Sequence, residues 1–289
     1  MVVKSGRSEF LGKRTAVTMT AYQRVLITGA AGLLGSCIRE GLVGAYPIVR
    51  STDIAPLGRV RHGEEIEIGD LRIPADAERV ANGVDAIVHL AGVPREADWN
   101  TIRDVNIDGT YHIYEAARLA GVRRVVFASS NHTVGFYHRD TPIGREAPVR
   151  PDTRYGVSKV VGEAMARLYA DKHGIESVCV RIGQFRPRPT NPRMLSLWIS
   201  GRDLVSLVRC CLDTDDLHFE IVYGISNNSR GWYKNPYGRL PFKPQDDAES
   251  HATDMVLADN SESLTPVSAA FQGGPYCQDG FSGPLEGMS

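Results

Sequence analysis

The chain predicts an α/β fold built on a doubly wound parallel sheet, followed by a small C-terminal lobe. Three observations carry this: short β-branched runs alternate with longer helical stretches, a glycine-rich turn joins the first run to the first helix, and several runs stop at polar or acidic residues. Strands separated by helices of this length imply right-handed crossovers with helices on both faces of the sheet.

Arg24-Val25-Leu26-Ile27-Thr28 reads as the first buried strand, and the stretch around Leu34 to Val43 as the first helix. Ile48-Val49 leads a second strand ending near Asp53, and Glu65 to Ile68 a third ending at Asp70. Ala86 to Leu90 is the fourth, Arg124 to Ala128 the fifth and Ser177 to Ile182 the sixth, with helical stretches at Ile102–Leu119 and Tyr155–Lys172. Beyond Ile182 the regularity decays. Gln184 to Arg193 is a loop rich in Pro and Arg, Arg202 to Leu212 a helix and Phe219 to Tyr223 a further strand. From Pro244 the chain is polar except near Phe271, which predicts a weakly ordered or wrapping tail. The expected division is a disordered leader over 1–22 and a first domain over 23–183 to which 201–225 returns. The second lobe takes 184–200 and 226–289.

The 289 residues carry 33 basic and 34 acidic side chains, a formal charge of −1, which argues against nucleic-acid and anionic-membrane partners. Hydrophobic residues at 42% suffice for a sizeable core, and no apolar run approaches the roughly 20 residues that span a bilayer. Cys37, Cys179, Cys210, Cys211 and Cys277 form an odd set without CxxC spacing, which points to reduced thiols in a cytoplasmic protein rather than a disulfide framework or metal site.

Gly29-Ala30-Ala31-Gly32-Leu33-Leu34-Gly35 follows the first strand and opens the first helix. Its glycines permit a tight turn and bring backbone N–H groups and a helix N-terminus to a dinucleotide pyrophosphate. Taken alone such a turn is weak, but Asp53 ends the next strand about 20 residues on. A carboxylate there accepts from ribose hydroxyls and repels a 2′-phosphate, favouring NAD over NADP. Asp70-Leu71 is placed to meet the adenine, and His89-Leu90-Ala91-Gly92 brings backbone close to the cofactor. Each alone is more often a plain strand ending; together they sit where open parallel sheets bind ligands.

Tyr155-Gly156-Val157-Ser158-Lys159 sets a phenol and an ammonium at i and i+4 on one helix face. A nearby cation favours phenolate and is expected to lower the Tyr155 pKa toward that of a general base. A solvated Tyr–Lys pair would explain the spacing by itself. Ser129-Ser130-Asn131-His132 at the end of the fifth strand adds a hydroxyl able to bind the same substrate oxygen.

These residues, with Asn106 in VNIDGT, resemble the extended short-chain dehydrogenase/reductase family, and a Rossmann-type fold is what that resemblance implies. SSNHTVGFY, YGVSK, RIG at 181–183, RMLSLW at 193–198, EIVYGISNN and FQGG are similar to its uronate dehydrogenase branch, from about Arg24 to Gly283. The resemblance implies Tyr155 as base, Ser130 as its partner, and Lys159 on the nicotinamide ribose. Asn106 would support a proton relay, and Ile182 would lie against the cofactor. Asn131 and His132 would contact sugar oxygens, and Arg193 a substrate carboxylate. Pro94 after HLAG and Gln184-Phe185 after RIG stand where that branch carries small polar residues, so Pro94 and Gln184 are expected to line the sugar site and decide which sugar enters.

The implied activity is NAD-dependent oxidation of a hexuronate at C1 to its aldarolactone. An aldose or sugar-phosphate dehydrogenase is the alternative, since Arg186, Arg188 and Arg193 suit a phosphate as well as a carboxylate. A nucleotide-sugar dehydratase fits less well, because Asn131-His132 offers no acid–base carboxylates after the strand-five serine, and an epimerase because the short, largely polar stretch after the sixth strand leaves little room for a uridine diphosphate. A non-catalytic NAD sensor would have no use for Ser130, Tyr155 and Lys159 in register. Pairing through long helices flanking the sheet predicts a homo-oligomer.

Overall fold

The structure, a computed structural model, describes residues 22–253 and 265–285. Seven parallel strands form one sheet: β1 (Arg24–Thr28), β2 (Ile48–Thr52), β3 (Glu64–Ile66), β4 (Ala86–His89), β5 (Arg124–Ser130), β6 (Glu176–Ile182) and β7 (Phe219–Gly224). Their order is β7-β6-β5-β4-β1-β2-β3, so the strand order reverses between β1 and β4. The expected fold class is therefore observed.

Strand pleating explains why both faces are covered. Val25 and Ile27 point to one side of β1 and pack with α1 (Leu33–Leu42) and a later helix over Gly201–Asp213, through Ile38, Leu42, Leu204 and Leu207. Leu26 points to the other side with Ile87, Val125 and Phe127. They meet α2 (Pro74–Ala81), α3 (Gly109–Ala120) and α4 (Arg154–His173), through Val80, Ile113 and Ala166. We label the Gly201–Asp213 helix α5. A sheet apolar on both faces is what all-parallel pairing requires.

Several local expectations need correction. The leader expected over 1–22 includes Tyr22, which is 1% exposed in the core, its ring beneath the Arg123 guanidinium; residues 1–21 lie outside the described residues. β3 stops at Ile66, because past that point Glu67 and Gly69 donate singly to Ser51 and Asp53 instead of continuing the ladder. The helix expected over 102–119 contains a π-helical stretch, Ile102–Asp108, ahead of α3. Pairings also cross the expected division: Ile143–Gly144 pairs with Tyr233–Lys234, and His138 bridges to Phe271. Conversely, Leu240 and Phe242 return to the main core. Among the described residues the five cysteines are free, and no helix is long and apolar enough to cross a membrane.

Candidate active site

A cavity of about 910 Å³ opens across the carboxyl ends of the strands, at the reversal of strand order. The site residues expected from the sequence line it, apart from Asn106 and Arg188.

At one end stands the glycine turn. Gly29 has φ +68°, and a side-chain carbon there would lie 2.7 Å from the Ala91 nitrogen. One on Gly35 would meet the Gly29 carbonyl oxygen at 2.1 Å. Only glycine lets β1, β4 and α1 come this close. α1 starts at Leu33 with neither a side-chain cap nor an acidic residue in its first turn, leaving its N–H groups and positive dipole end for an anion. Asp53 anchors this turn: its Oδ2 accepts from Ala31 N at 2.9 Å and its Oδ1 from Ala55 N at 3.0 Å, with lone pairs to spare for ligand hydroxyls. Gly32, Leu33, Leu34, Asp70, Leu71, Leu90, Ala91 and Gly92 complete this wall. The Asp70 carboxylate is already gripped by Arg72, whose hydrogen bonds hold it below the usual carboxylate range. These features suit a dinucleotide: a cradle that a Cβ would fill, free helix N–H groups and a carboxylate on the cavity wall.

In the middle, helical spacing brings Tyr155 and Lys159 together, with Lys159 Nζ 5.7 Å from the Tyr155 ring centre and 5.0 Å from that of Phe127. Thr153 caps α4 through Gly156 N, and Glu96 accepts from Tyr155 N. Alternation along β5 separates two serines. Ser129 donates to Glu163, itself paired with Arg181 inside the protein. The Ser130 hydroxyl reaches the cavity and Tyr155. Burial pushes the Tyr155 phenol up to about 12, with the Ser130 hydrogen bond pulling it back. Burial likewise pushes the Lys159 ammonium down to about 8. In this structure burial dominates the phenol, and Ser130 rather than the expected Lys159 is the group that lowers it.

Asn106 stands behind the wall. It is 3% exposed, accepts from Val93 N, and donates to Val93 O and Ser158 Oγ. It fixes the loop after β4 against α4, and does not reach the cavity as the sequence suggested. His89 is a neutral core residue between Thr28 and Thr110, pushed down to about 3 by burial.

The far end is polar and assembled from separate segments. Arg193 donates from Nε to Gln272 O at 2.9 Å and from Nη1 to Gln184 Oε1 at 3.4 Å. Asn131, with its amide oriented to satisfy both neighbours, bridges Arg193 Nη2 and Ile182 O at 3.1 Å each. Arg186 reaches the rim, whereas Arg188 is exposed and outside the lining, so the expected three-arginine cluster is not formed. Two residues went unforeseen. Tyr276, from the tail, stacks on His132 with ring centres 3.9 Å apart and donates to Pro94 O at 3.2 Å. Asp152 holds His132 Nδ1 at 2.6 Å. The FQGG motif beside Phe271 was the one available signal for the first, and nothing in the spacing marked the second.

The model of the NAD dependent epimerase/dehydratase family matches residues 25–201. A uronate dehydrogenase of Pseudomonas putida is 42% identical over 91% of this chain and 99% of its own. The crystal structure of a mutant uronate dehydrogenase from Agrobacterium tumefaciens, complexed with NAD, superposes with a TM-score of 0.85 at 40% identity, covering 91% of this chain and 98% of that one. An NAD-dependent glucose-6-phosphate dehydrogenase of Haloferax volcanii is 38% identical over 78% of this chain and 94% of its own.

Proposed function

The chain belongs to the NAD dependent epimerase/dehydratase family, and from that premise we infer that it oxidises a hexuronate at C1 with NAD⁺, releasing the aldarolactone. The observation that carries this reading is one cavity holding Ser130, Tyr155 and Lys159 between a dinucleotide cradle and a half-buried arginine, Arg193.

When bound, NAD⁺ supplies the acceptor for the hydride leaving C1. The protein's part is positional and protic. Ser130 and Tyr155 hold the C1 hydroxyl, and Tyr155, in its deprotonated form and aided by the Ser130 hydrogen bond, takes its proton. Lys159, on the same helix face, provides the compensating positive charge beside the ribose. Arg193, its Nε fixed by Gln272, turns the rest of its guanidinium to the sugar carboxylate, where a planar fork binds two oxygens. Pro94, Asn131, His132 and Gln184 shape the space between. Asp53 favours NAD over NADP.

A second reading, a sugar-phosphate dehydrogenase, draws support from Arg95 and Arg186 on the rim of the same cavity. The supposed setting is the cytoplasm, consistent with five free thiols. Self-association through α3 and α4 is supported by Tyr111, Leu119 and Leu168, all exposed. The test is a panel of uronic acids, neutral aldoses and sugar phosphates with NAD⁺ or NADP⁺. Turnover of glucuronate or galacturonate with NAD⁺ is expected to exceed all others; preferential turnover of a sugar phosphate would replace the first reading by the second.

A further inference from the structure

The chemistry proposed above uses His132 but leaves Asp152 without a part. His132 lies in the short 3-10 turn Asn131–Val134, whose start is tied down by Ser130 Oγ accepting from His132 N at 3.2 Å. Its Nδ1 sits 2.6 Å from Asp152 Oδ2, and the Asp152 side chain is 0% exposed. A second link joins the pair, Asp152 N donating to His132 O at 3.3 Å.

The space for this carboxylate is built by two glycines from distant segments. A side-chain carbon on Gly135 would lie 1.8 Å from Asp152 Oδ2, and one on Gly273 would lie 2.0 Å from it. Gly273 N in turn donates to Gly135 O at 2.8 Å, and Cys277 Sγ donates to the same oxygen at 3.4 Å. Tyr276, between them in the chain, covers the His132 ring face, while the Tyr155 ring meets its edge at 5.9 Å. The imidazole is therefore held on three sides. A carboxylate only accepts, so Nδ1 carries the hydrogen and Nε2 is the ring nitrogen left for a ligand.

We propose that Asp152 is a positioning residue of the sugar site. It fixes the orientation and tautomer of His132, so that Nε2 is the nitrogen presented to the sugar. This rests on the sugar-oxidising reading. The carboxylate touches neither the reacting hydroxyl nor the cofactor cradle, so its loss is felt at the sugar rather than at NAD.

The experiment compares Asp152→Asn, His132→Asn and the double variant, measuring kcat, sugar KM and the NAD dissociation constant. Side-chain ¹H–¹⁵N spectra of the histidines accompany them. Asp152→Asn, which keeps the shape, is expected to raise the sugar KM about 10- to 100-fold with NAD binding unchanged. In the His132→Asn background it is expected to add little, because it acts through the imidazole. The wild-type spectrum is expected to show His132 protonated at Nδ1, and Asp152→Asn to alter that signal. A merely structural role would show as additive effects, or as equal losses of sugar and NAD binding, and either overturns the proposal. So does a wild-type His132 without hydrogen on Nδ1. If the wild type oxidises no sugar, the functional reading fails, while the spectra still decide the role of Asp152.

Discussion

Gly29, Gly32 and Gly35, which shape one end of the cavity, lie within a single turn of chain, whereas His132, Arg193 and Tyr276 at the other end come from three segments far apart in sequence. The first end is backbone presented by a regular strand–turn–helix unit. The second is side chains held by the Gln272 carbonyl and by other side chains, those of Gln184, Asn131 and Asp152. The glycine cradle thus belongs to the sheet, and the far end of the cavity to long-range contacts.

Substitutions at the junction of the two ends have the largest expected effect. Tyr155→Phe removes the base and is expected to lower kcat roughly 10²–10⁴-fold, while titration calorimetry finds NAD binding within a few-fold of wild type. Comparable losses in both would mean that the phenol props up the cradle. Next comes Arg193→Lys, which keeps the charge and loses the fork. Sugar-acid KM is expected to rise about 10- to 100-fold, with neutral aldoses unaffected in steady-state assays.

Asp53→Ala tests the other end. It deprives Ala31 N and Ala55 N of their acceptor as well as the ribose of its partner. Affinity for NAD is expected to fall about tenfold and the preference over NADP to shrink, with sugar KM at saturating cofactor unchanged. Ser130→Ala separates pKa from geometry. The Ser130 hydrogen bond lowers a phenol that burial raises, so its loss should move the rising limb of the kcat/KM–pH profile to higher pH.

The smallest effect concerns stability beneath the cradle. Burial alone would raise the Glu64 carboxyl, but hydrogen bonds from Arg39, Arg61 N and Ser51 bring it below its ordinary 4.5. A folded-state value below the unfolded one contributes stability that is complete above about 4.5 and lost as pH falls through the folded value. The Tm of the wild type is therefore expected to drop more steeply on acidification than that of Glu64→Gln.

The contrast between the two ends also explains what could be read in advance. Strands such as Val125-Val126-Phe127 declare themselves by composition, and the glycine turn and the i,i+4 Tyr155–Lys159 pair are local patterns. Asp152 and Tyr276 matter only through contacts made on folding, and neither lies in a periodic segment that would aim it at the site. Asn106 shows the complementary case: its neighbourhood is legible in the sequence, but its contacts are not, since the π-helical stretch aims its amide at Val93 and Ser158. The missing α2 had a local cue, Pro74 at a helix start, outweighed by a polar sequence.

The central claim is removal of hydride from C1 of an acidic sugar, with the cofactor left reduced. Glucuronate deuterated at C1, incubated with the wild-type protein and excess NAD⁺, tests it directly by mass spectrometry. The account expects one deuterium in each reduced cofactor and an unlabelled lactone. Deuterium kept in a rearranged sugar, with the NAD⁺ pool unchanged, would contradict it.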